Sequence, residues 1–306
     1  MTGPLDRNLS DGHIARSIMF EKMRERKLEI RLWDVGHGLS IWIKTPNGQN
    51  HWIDTGKNAD PEFDPASYVK EVYGIDTIHC LIISHPDTDH YNGICEFFDS
   101  FKVNVICRNK QYINNEINNI FNTDNVPDKK FLDIHKRYHI PIAPEASPLN
   151  ANLNGGVNIK TFHAPYQEKM SVNDSSIVTF YKYGQCVFIA PGDIADKGWE
   201  ALYTKYQQEI DEIIKNAEHR ILVAPHHGRA TGYTQEMIDA VRPTLVLISD
   251  KASQFKTHPQ FRTVASGELV DGVVRKFAST VTSGRIKVTF DGLGDVYVTT
   301  ASPRTS

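Results

Sequence analysis

The chain alternates short apolar segments with polar turns, and the spacing of the apolar residues predicts both strands and helices. Asn47-Gly48 predicts a tight hairpin between two of the strands, because both residues tolerate positive φ. Apolar runs bounded by turn residues predict strands at 28–33, 39–44, 51–53, 78–83, 103–107, 157–162, 176–183, 186–190, 221–224 and 244–249.

Apolar residues at helical spacing predict helices between these strands. They lie at 10–26, 65–73, 93–101, 195–206, 207–217 and 234–241, and an inserted helical segment is predicted near 109–145. Each half of the chain has a run of strands and then alternating strands and helices. This order predicts an α/β fold with two facing sheets and helices outside them. We expect a helical extension over 1–27 and a single domain over 28–306.

Composition excludes several classes of protein. Of the 306 residues 40% are hydrophobic, and 34 Lys and Arg stand against 37 Asp and Glu, for a net charge of −3. Such a sequence is too apolar for a disordered chain, and no apolar run approaches the ~18 residues that span a bilayer. The start lacks the basic and apolar parts of a secretion signal. We therefore expect a cytoplasmic protein that does not bind a membrane.

Charge and cysteine content narrow the choice further. A net charge of −3 argues against a surface coated with cations, which sequence-independent binding of duplex DNA requires. The most basic stretch, 129–138, is interpreted as a solvated helix face rather than a nucleic-acid contact. The four cysteines form no CxxC pair and are expected to be reduced and structural.

The densest group of candidate metal ligands follows the predicted strand 78–83. It consists of His85, Asp87, Asp89 and His90. A turn at the end of a buried strand can aim several side chains at one point while the strand holds the turn rigid. Two imidazoles and two carboxylates suit a divalent metal ion.

Three further polar motifs stand where predicted strands begin or end. They are Asn173-Asp174, Gly192-Asp193 and Pro225-His226-His227-Gly228. Strands of one sheet that run in the same direction bring their ends to the same edge. The repeated placement therefore predicts an active site along one edge of the two sheets.

The ordered motifs resemble those of the metallo-β-lactamase fold hydrolases, and within them the hydrolase domain of the ComEC-type competence proteins. The resemblance covers about 28–298 and implies a four-layer αββα metallo-β-lactamase sandwich. The motifs that carry it are Asp34-Val35-Gly36-His37-Gly38, Ile53-Asp54-Thr55-Gly56, Ser84-His85-Pro86-Asp87-Thr88-Asp89-His90, Asn173-Asp174-Ser175-Ser176, Pro191-Gly192-Asp193, Pro225-His226-His227-Gly228 and His258-Pro259.

The resemblance also implies a centre of two divalent metal ions, Zn²⁺ or Mn²⁺. The broader family has histidine where Asp87 stands and near Asn173, so the first site is richer in oxygen here, which favours Mn²⁺. His163 is an alternative third ligand of that site, although its spacing from Asp193 is longer than the family's. The implied ligands are His85, Asp87 and either Asn173 or Asp174 for the first ion, Asp89, His90 and His226 for the second ion, and Asp193 as the bridge.

The reaction that the resemblance implies is hydrolysis by metal-activated water. Asp89 would orient the water as well as bind metal, and His227 or His258 would protonate the leaving group. Asp54 is interpreted as a structural carboxylate that caps backbone N–H groups. His37 lies in a glycine-rich turn where the backbone can approach the site closely, and a role of His37 toward substrate is a hypothesis.

Three functions stay open at this level. The leading hypothesis is phosphodiester hydrolysis in a nucleic acid or a nucleotide by a stand-alone enzyme, because the sequence contains no membrane channel. An oxygen-rich first site and the basic stretch favour phosphate over the alternative substrates, which are a lactone, a thioester or a β-lactam. The third possibility is a binding or regulatory module without turnover, against which the complete ligand set of the second ion argues. The oligomeric state is left open.

Overall fold

The computed structural model describes residues 19–59, 62–251 and 257–301. Residues 19–25 are helical and form α1, and residues 1–18 of the expected extension lie outside the described residues. The other helices are α2 (Pro65–Tyr73), α3 (Thr88–Tyr91), α4 (Ile94–Ser100), α5 (Lys110–Ile120), α6 (Val126–Arg137), α7 (Asp196–Ile214), α8 (Gln235–Val241) and α9 (Thr280–Ser283). The strands are β1 (Lys27–Leu32), β2 (Ser40–Lys44), β3 (Asn50–Thr55), β4 (Asn58–Ala59), β5 (Glu62–Phe63), β6 (Thr77–Ile82), β7 (Lys102–Cys107), β8 (Asn158–His163), β9 (Ile177–Tyr183), β10 (Cys186–Ala190), β11 (His219–Val223), β12 (Leu245–Ile248), β13 (Glu268–Val270), β14 (Val273–Arg275), β15 (Phe277–Ser279), β16 (Ile286–Asp291) and β17 (Val296–Thr300).

These strands form two large sheets. The first has the order β14-β13-β17-β16-β1-β2-β3-β6-β7, the second has the order β15-β12-β11-β10-β9-β8, and β4 pairs with β5. In the first sheet β3, β6 and β7 are parallel. In the second sheet β10, β11, β12 and β15 are parallel. Parallel neighbours place their carboxyl ends at one edge, which is where the predicted polar motifs follow β6, β10 and β11.

Alternation of side chains along each strand divides the buried residues into layers. In β6, Cys80 and Ile82 belong to the core between the two sheets, whereas Leu81 packs with residues of α2, α4 and α6. In β10, Phe188 lies in the central core and Val187 packs with residues of α7 and α8. The molecule therefore has a helix layer, two sheets and a second helix layer, which confirms the predicted αββα fold class.

The helix α7 replaces the two helices predicted at 195–206 and 207–217. It is continuous except at Tyr206, whose backbone has non-helical angles (φ −121°, ψ 21°). Trp199 before the irregularity and Ile210 after it are both fully buried, so the two parts share one apolar face. Within the described ranges, no helix, α7 included, has the length and apolar character needed to cross a membrane.

The predicted strands end at residue 249 and do not include β13–β17. The strands β13, β14 and β15 have three residues each, which is too short for an alternating pattern to be recognised. Val273 and Val274 of β14 are both exposed, so this strand also lacks a buried face. The pattern is present in β16, where Ile286, Val288 and Phe290 alternate and are buried beside β1.

The helices α5 and α6 occupy the stretch where the inserted helical segment is predicted. Phe131 of α6 packs on Tyr91 of α3, with ring centroids 4.9 Å apart, and stacks on Phe121 at 5.2 Å. On the opposite face, Lys129 and Lys136 of the basic stretch are exposed. One side of α6 is therefore anchored in the outer core of the first sheet, and its cations face solvent.

Candidate metal centre

The loops that carry the polar motifs meet at the edge where β6, β10, β11 and β12 end. Asn173–Ser175 forms a short 3₁₀ turn before β9, and Pro225–Gly228 forms another after β11. Backbone hydrogen bonds tie these loops together: Ile177 N donates to Ser84 O at 2.8 Å. The first and second sheets therefore contribute side chains to one shared site.

The deeper part of the site is a cluster of His85, His90 and Asp193. All three residues are buried. His90 Nε2 lies 3.1 Å from Asp193 Oδ1, His85 Nε2 lies 4.0 Å from Asp193 Oδ2, and the two imidazole rings are 4.2 Å apart. We call these three residues the inner cluster.

A second group, the outer cluster, consists of His37, Asp89 and His227. Asp89 Oδ2 lies 3.0 Å from His227 Nε2 and 3.3 Å from His37 Nε2. His227 Nε2 is also 3.6 Å from Asp193 Oδ2. The two clusters therefore adjoin through His227 and Asp193, on the solvent side of the buried inner cluster.

Asp54 fixes the orientation of His90. The carboxylate is fully buried, and its Oδ2 lies 2.7 Å from His90 Nδ1. It also accepts hydrogen bonds from Ser84 N and Ser84 Oγ, both at 2.7 Å. An acceptor on Nδ1 leaves Nε2 of His90 available to a metal ion, which is the arrangement that orients histidine ligands in metalloproteins. The carboxylate thus caps one backbone N–H, as expected from the sequence, and also holds an imidazole.

The backbone of Asp89 is packed against two glycines. A Cβ atom on Gly38, whose φ is +140°, would lie 2.6 Å from Asp89 O, and one on Gly56 would lie 2.7 Å from the same atom. Real Cβ atoms do not approach a carbonyl oxygen so closely. Only glycine at these positions lets the Asp89 loop reach its place in the site.

Mutual charge pairing governs protonation inside the site. Burial alone would raise the pKa of Asp193, but His90 and His227 hold that pKa well below its ordinary value. Burial would lower the pKa of His90, yet Asp193 and Asp54 raise it well above its ordinary value. At His85 burial dominates and lowers the pKa to about 3. Before metal binds, the site therefore combines ionised carboxylates, a neutral His85 and a protonated His90, and binding of metal at His90 Nε2 would release that proton.

Three buried atoms in this region lack a hydrogen bond to any described residue. They are His85 Nε2, His90 Nε2 and Asn173 Oδ1. His90 Nε2 is near Asp193 but outside hydrogen-bond geometry. Buried polar atoms are normally satisfied, so unsatisfied ones call for an explanation such as an ion. Imidazole nitrogens, carboxylates and an amide oxygen are suitable donors for Zn²⁺ or Mn²⁺, and the clusters therefore fit a divalent metal.

Asp87 and Asp174 lie outside both clusters, and their carboxylates accept hydrogen bonds from other groups. Asp87 Oδ1 accepts from Thr88 N at 2.8 Å and caps α3. Asp174 uses both oxygens, one for Ser171 Oγ at 2.7 Å and one for Gly198 N at 3.0 Å. Asn173, Asp174 and His163 are the candidates for the third ligand of the first ion. Among them, Asn173 has a buried side-chain oxygen without a hydrogen bond to a described residue.

His226 and His227 both have left-handed backbone, with φ of +50° and +55°. Non-glycine residues rarely adopt this conformation. His226 Nε2 lies 3.9 Å from Asp193 Oδ2 and 3.1 Å from Arg229 Nη1. The structure therefore places both neighbouring histidines near Asp193, with His227 also on Asp89.

Arg229 is a site residue that the sequence interpretation missed. Its Nη2 lies 2.8 Å from His37 Nε2. A signal existed, because Arg229 directly follows the Pro225–Gly228 turn. The side chain places a guanidinium at the mouth of the outer cluster.

His258 and His163 are not members of either cluster. The His258 ring stacks on Tyr233, with centroids 4.6 Å apart, and its backbone N donates to Gly228 O at 2.8 Å. His163 ends β8, and its Nδ1 lies 2.9 Å from Ala164 O. The structure thus associates His258 with the loop that carries Gly228 rather than with the inner or outer cluster.

No protein-family model matches the chain. It is 21% identical over 246 residues to ComE operon protein 3 of Bacillus subtilis (strain 168), and 22% identical over 242 residues to competence protein ComA of Neisseria gonorrhoeae. These similarities cover 76% and 78% of this chain but 29% of each relative, so the chain spans less than a third of their length.

Solved structures with similar folds include a diphosphatase from the PhnP family and a long form RNase Z from yeast. The first has a TM-score of 0.42 and 12% identity, covering 87% of this chain and 99% of that one. The second has a TM-score of 0.41 and 12% identity, covering 88% and 42%. With its four layers and its ordered motifs at the strand ends, the chain has the αββα metallo-β-lactamase fold, and it is similar to one segment of the two competence proteins.

Proposed function

We propose that the chain is a metal-dependent hydrolase that cleaves phosphodiester bonds in a nucleic acid or a nucleotide. The observation that carries the proposal is the inner cluster, where His85 Nε2 is buried without a hydrogen bond to a described residue and lies beside His90 and Asp193. Such a group is costly to bury unless it has a ligand. The adjoining outer cluster supplies residues that can act on a water and on a leaving group.

Two sets of residues would hold two divalent ions. His85, His90 and Asp193 would hold one, with Asn173 Oδ1 as the proposed further donor. Asp89 and His226 would hold the other together with Asp193, since His226 Nε2 is 3.9 Å from that carboxylate. Asp87 and Asp174 stay proposed ligands of the first ion, although they lie outside both clusters and accept hydrogen bonds from Thr88 N and Gly198 N.

When bound, such ions supply Lewis acidity and bring the pKa of a water toward ~7. The protein's own groups would do the rest. Asp89 Oδ2 would accept a hydrogen bond from the attacking water and orient it. Although burial opposes it, Asp193 and Asp89 raise the pKa of His227, so its Nε2 holds a proton close to the site that the leaving oxygen can receive.

Arg229 favours a phosphate substrate over a lactone, thioester or β-lactam. A guanidinium offers paired N–H donors that match the oxygens of a phosphoryl group. Arg229 lies beside His37 and His226 at the outer cluster, where it would contact the non-bridging oxygens.

The test begins with protein that is stripped of metal and reloaded with Zn²⁺ or Mn²⁺. Substrates are single-stranded DNA, RNA, cyclic nucleotides, bis(4-nitrophenyl) phosphate and a lactone. We expect phosphodiester turnover with at least one metal. The Asp89→Ala/His90→Ala variant is expected to lose turnover by at least ~10³-fold, because it removes one residue from each cluster, and to bind less metal by elemental analysis.

An Asp124→Ala/His139→Ala variant is the matched control, since both side chains are exposed and belong to neither cluster. It should retain wild-type turnover and metal content. Equal phosphodiester cleavage in the wild type and the Asp89→Ala/His90→Ala variant would refute the proposed site. Turnover of the lactone alone would refute the substrate class.

A further inference from the structure

A cleft of about 830 Å³ lies next to the metal centre. Its walls include the end of β12, the 3₁₀ turn Pro259–Arg262, the segment from Arg275 through β15, and α9. None of the expected ligands of the two ions lines it. It is therefore a separate depression in the surface and not a part of the inner or outer cluster.

The cleft is strongly basic, although the whole chain has a small negative net charge. Four of its lining residues are cations, Lys251, Arg262, Arg275 and Lys276, and all four are exposed. Among the described lining residues Asp250 is the one carboxylate; it is buried, and it accepts a hydrogen bond from Lys251 N at 2.7 Å. Since the whole chain has a net charge of −3, these cations are concentrated here against the overall balance. Such a concentration attracts an anionic ligand.

The end of β12 lies between the cleft and the metal centre and has contacts with both. Ile248 and Asp250 line the cleft. Ser249 between them accepts a hydrogen bond from His227 at its carbonyl oxygen, with 3.0 Å between the two atoms. Asp250 Oδ1 is also 3.8 Å from His37 Nδ1. A chain-like substrate held at the outer cluster would therefore lie beside residues that also border the cleft.

The cleft also contains an aromatic surface. Phe277 is half-buried and lines it, and the Arg262 guanidinium lies 5.8 Å from the centre of the Phe277 ring. Proteins that bind single strands combine a cationic groove for the backbone with aromatic and arginine side chains for the bases. A duplex hides the faces of its bases and cannot use such a surface.

We infer that this basic cleft binds the sugar–phosphate backbone of a single-stranded nucleic acid next to the phosphodiester that the metal centre hydrolyses. The inference rests on the proposed function for the position of the scissile bond, but the cleft's affinity for a single strand is independent of turnover. It narrows the proposed substrate from any nucleic acid or nucleotide to a single-stranded nucleic acid. An extended strand is favoured over a mononucleotide, which would leave the cations of the cleft unused.

The binding test uses the full chain and a fluorescein-labelled oligothymidylate, followed by fluorescence anisotropy with a chelator present so that no strand is cut. If all four cleft cations contact phosphates, they contribute about −2.8 to the logarithmic salt slope for a single strand, which is a loss of affinity of about 50-fold between 50 and 200 mM salt. Arg262→Gln/Arg275→Gln leaves two of these four contacts, so the contribution of the cleft should shrink to about sevenfold over the same range. Circular dichroism and a thermal melt check that the variant is folded.

The matched control is Lys129→Gln/Lys136→Gln, which removes two exposed cations from α6. It should keep the wild-type salt slope. A labelled oligouridylate tests whether RNA binds as DNA does, and a duplex of equal length should bind more weakly than the single strand. An unchanged slope in the Arg262→Gln/Arg275→Gln variant, or preferential binding of the duplex, would overturn the inference.

Activity measurements separate this inference from the proposed function. With metal restored, the Arg262→Gln/Arg275→Gln variant should hydrolyse bis(4-nitrophenyl) phosphate at the wild-type rate, because that substrate is too short to occupy the cleft. Its KM for a single strand should rise by at least tenfold while kcat stays within about twofold. If no phosphodiester is hydrolysed by the wild type, the proposed function fails, and the salt slopes still decide whether the cleft binds a strand.

Discussion

Replacing Asp54 with asparagine tests whether the buried carboxylate orients His90 for metal. The two side chains have nearly the same shape, and asparagine tolerates the left-handed backbone of this position, where φ is +56°. The exchange therefore changes hydrogen bonding and charge without straining the turn. The introduced amide could still accept from Ser84 N with its single oxygen, but its nitrogen cannot accept the His90 Nδ1 proton.

The magnitude follows from the bonds that are lost. A hydrogen bond to a charged group contributes about 1.5–3 kcal/mol, and the Asp54–His90 contact is short, at 2.7 Å, and fully buried. Loss of a residue that orients a metal-binding histidine typically lowers metal affinity about 10–100-fold, or about 1.4–2.7 kcal/mol. The two ranges agree, so we expect the Asp54→Asn variant to bind metal about 10–100 times more weakly.

Competition titration against a chromophoric chelator would measure the affinity, separately for Zn²⁺ and Mn²⁺. Asp291→Asn is the matched control, because Asp291 is also a buried carboxylate with backbone partners, Leu293 N and Asp295 N, and belongs to neither cluster. Its metal affinity should equal that of the wild type. An Asp54→Asn variant that binds both metals within twofold of the wild type would refute the orienting role.

Three other perturbations have outcomes that the structure fixes in direction. Burial lowers the pKa of His51 to about 3, below its value in the unfolded chain, so the free energy of unfolding decreases as the pH falls from about 6.5 toward 3. His51→Gln should reduce the dependence of this free energy on pH by about 1.4 kcal/mol per pH unit in urea titrations. An equal pH dependence in the variant and the wild type would contradict the assignment. Gly38→Ala should lower the free energy of unfolding by about 1–3 kcal/mol, because of positive φ and contact with Asp89 O, and should also weaken metal binding. Trp199→Ala should cost about 3–5 kcal/mol in the same measurement while leaving metal affinity intact, and a parallel loss of metal would show that the outer core and the centre are coupled.

The sequence predicts the αββα fold because alternation is encoded within each strand. The range 78–83 predicted for one strand matches β6 to within a residue at each end, since Cys80 and Ile82 alternate with Leu81 between the two buried faces of the strand. The same local reasoning places polar motifs at strand ends. It fails for β14, where Val273 and Val274 are both exposed and no buried face marks the strand.

Residue type alone does not decide which side chains reach the inner cluster. Asp87 and Asp174 have the chemistry of metal ligands, but the start of α3 and the backbone N–H of Gly198 in α7 compete for their oxygens. Arg229 and the basic cleft were missed for another reason. Lys251 and Arg275 line the same cleft because β12 pairs with β15 in the second sheet. The local sequence pattern does not predict this pairing.

The pairing of β1 with β16 has a consequence for how the chain folds. Lys27 is opposite Asp291, so strands from the two ends of the described chain are neighbours inside the first sheet. Such a contact closes a very long loop, and proteins rich in distant pairings fold slowly. The second sheet and its helices, whose strands β8 to β12 follow one another closely in sequence, can assemble earlier. We expect a folding intermediate in which the amides of the second sheet are protected from hydrogen exchange, whereas β1 has not yet paired with β16.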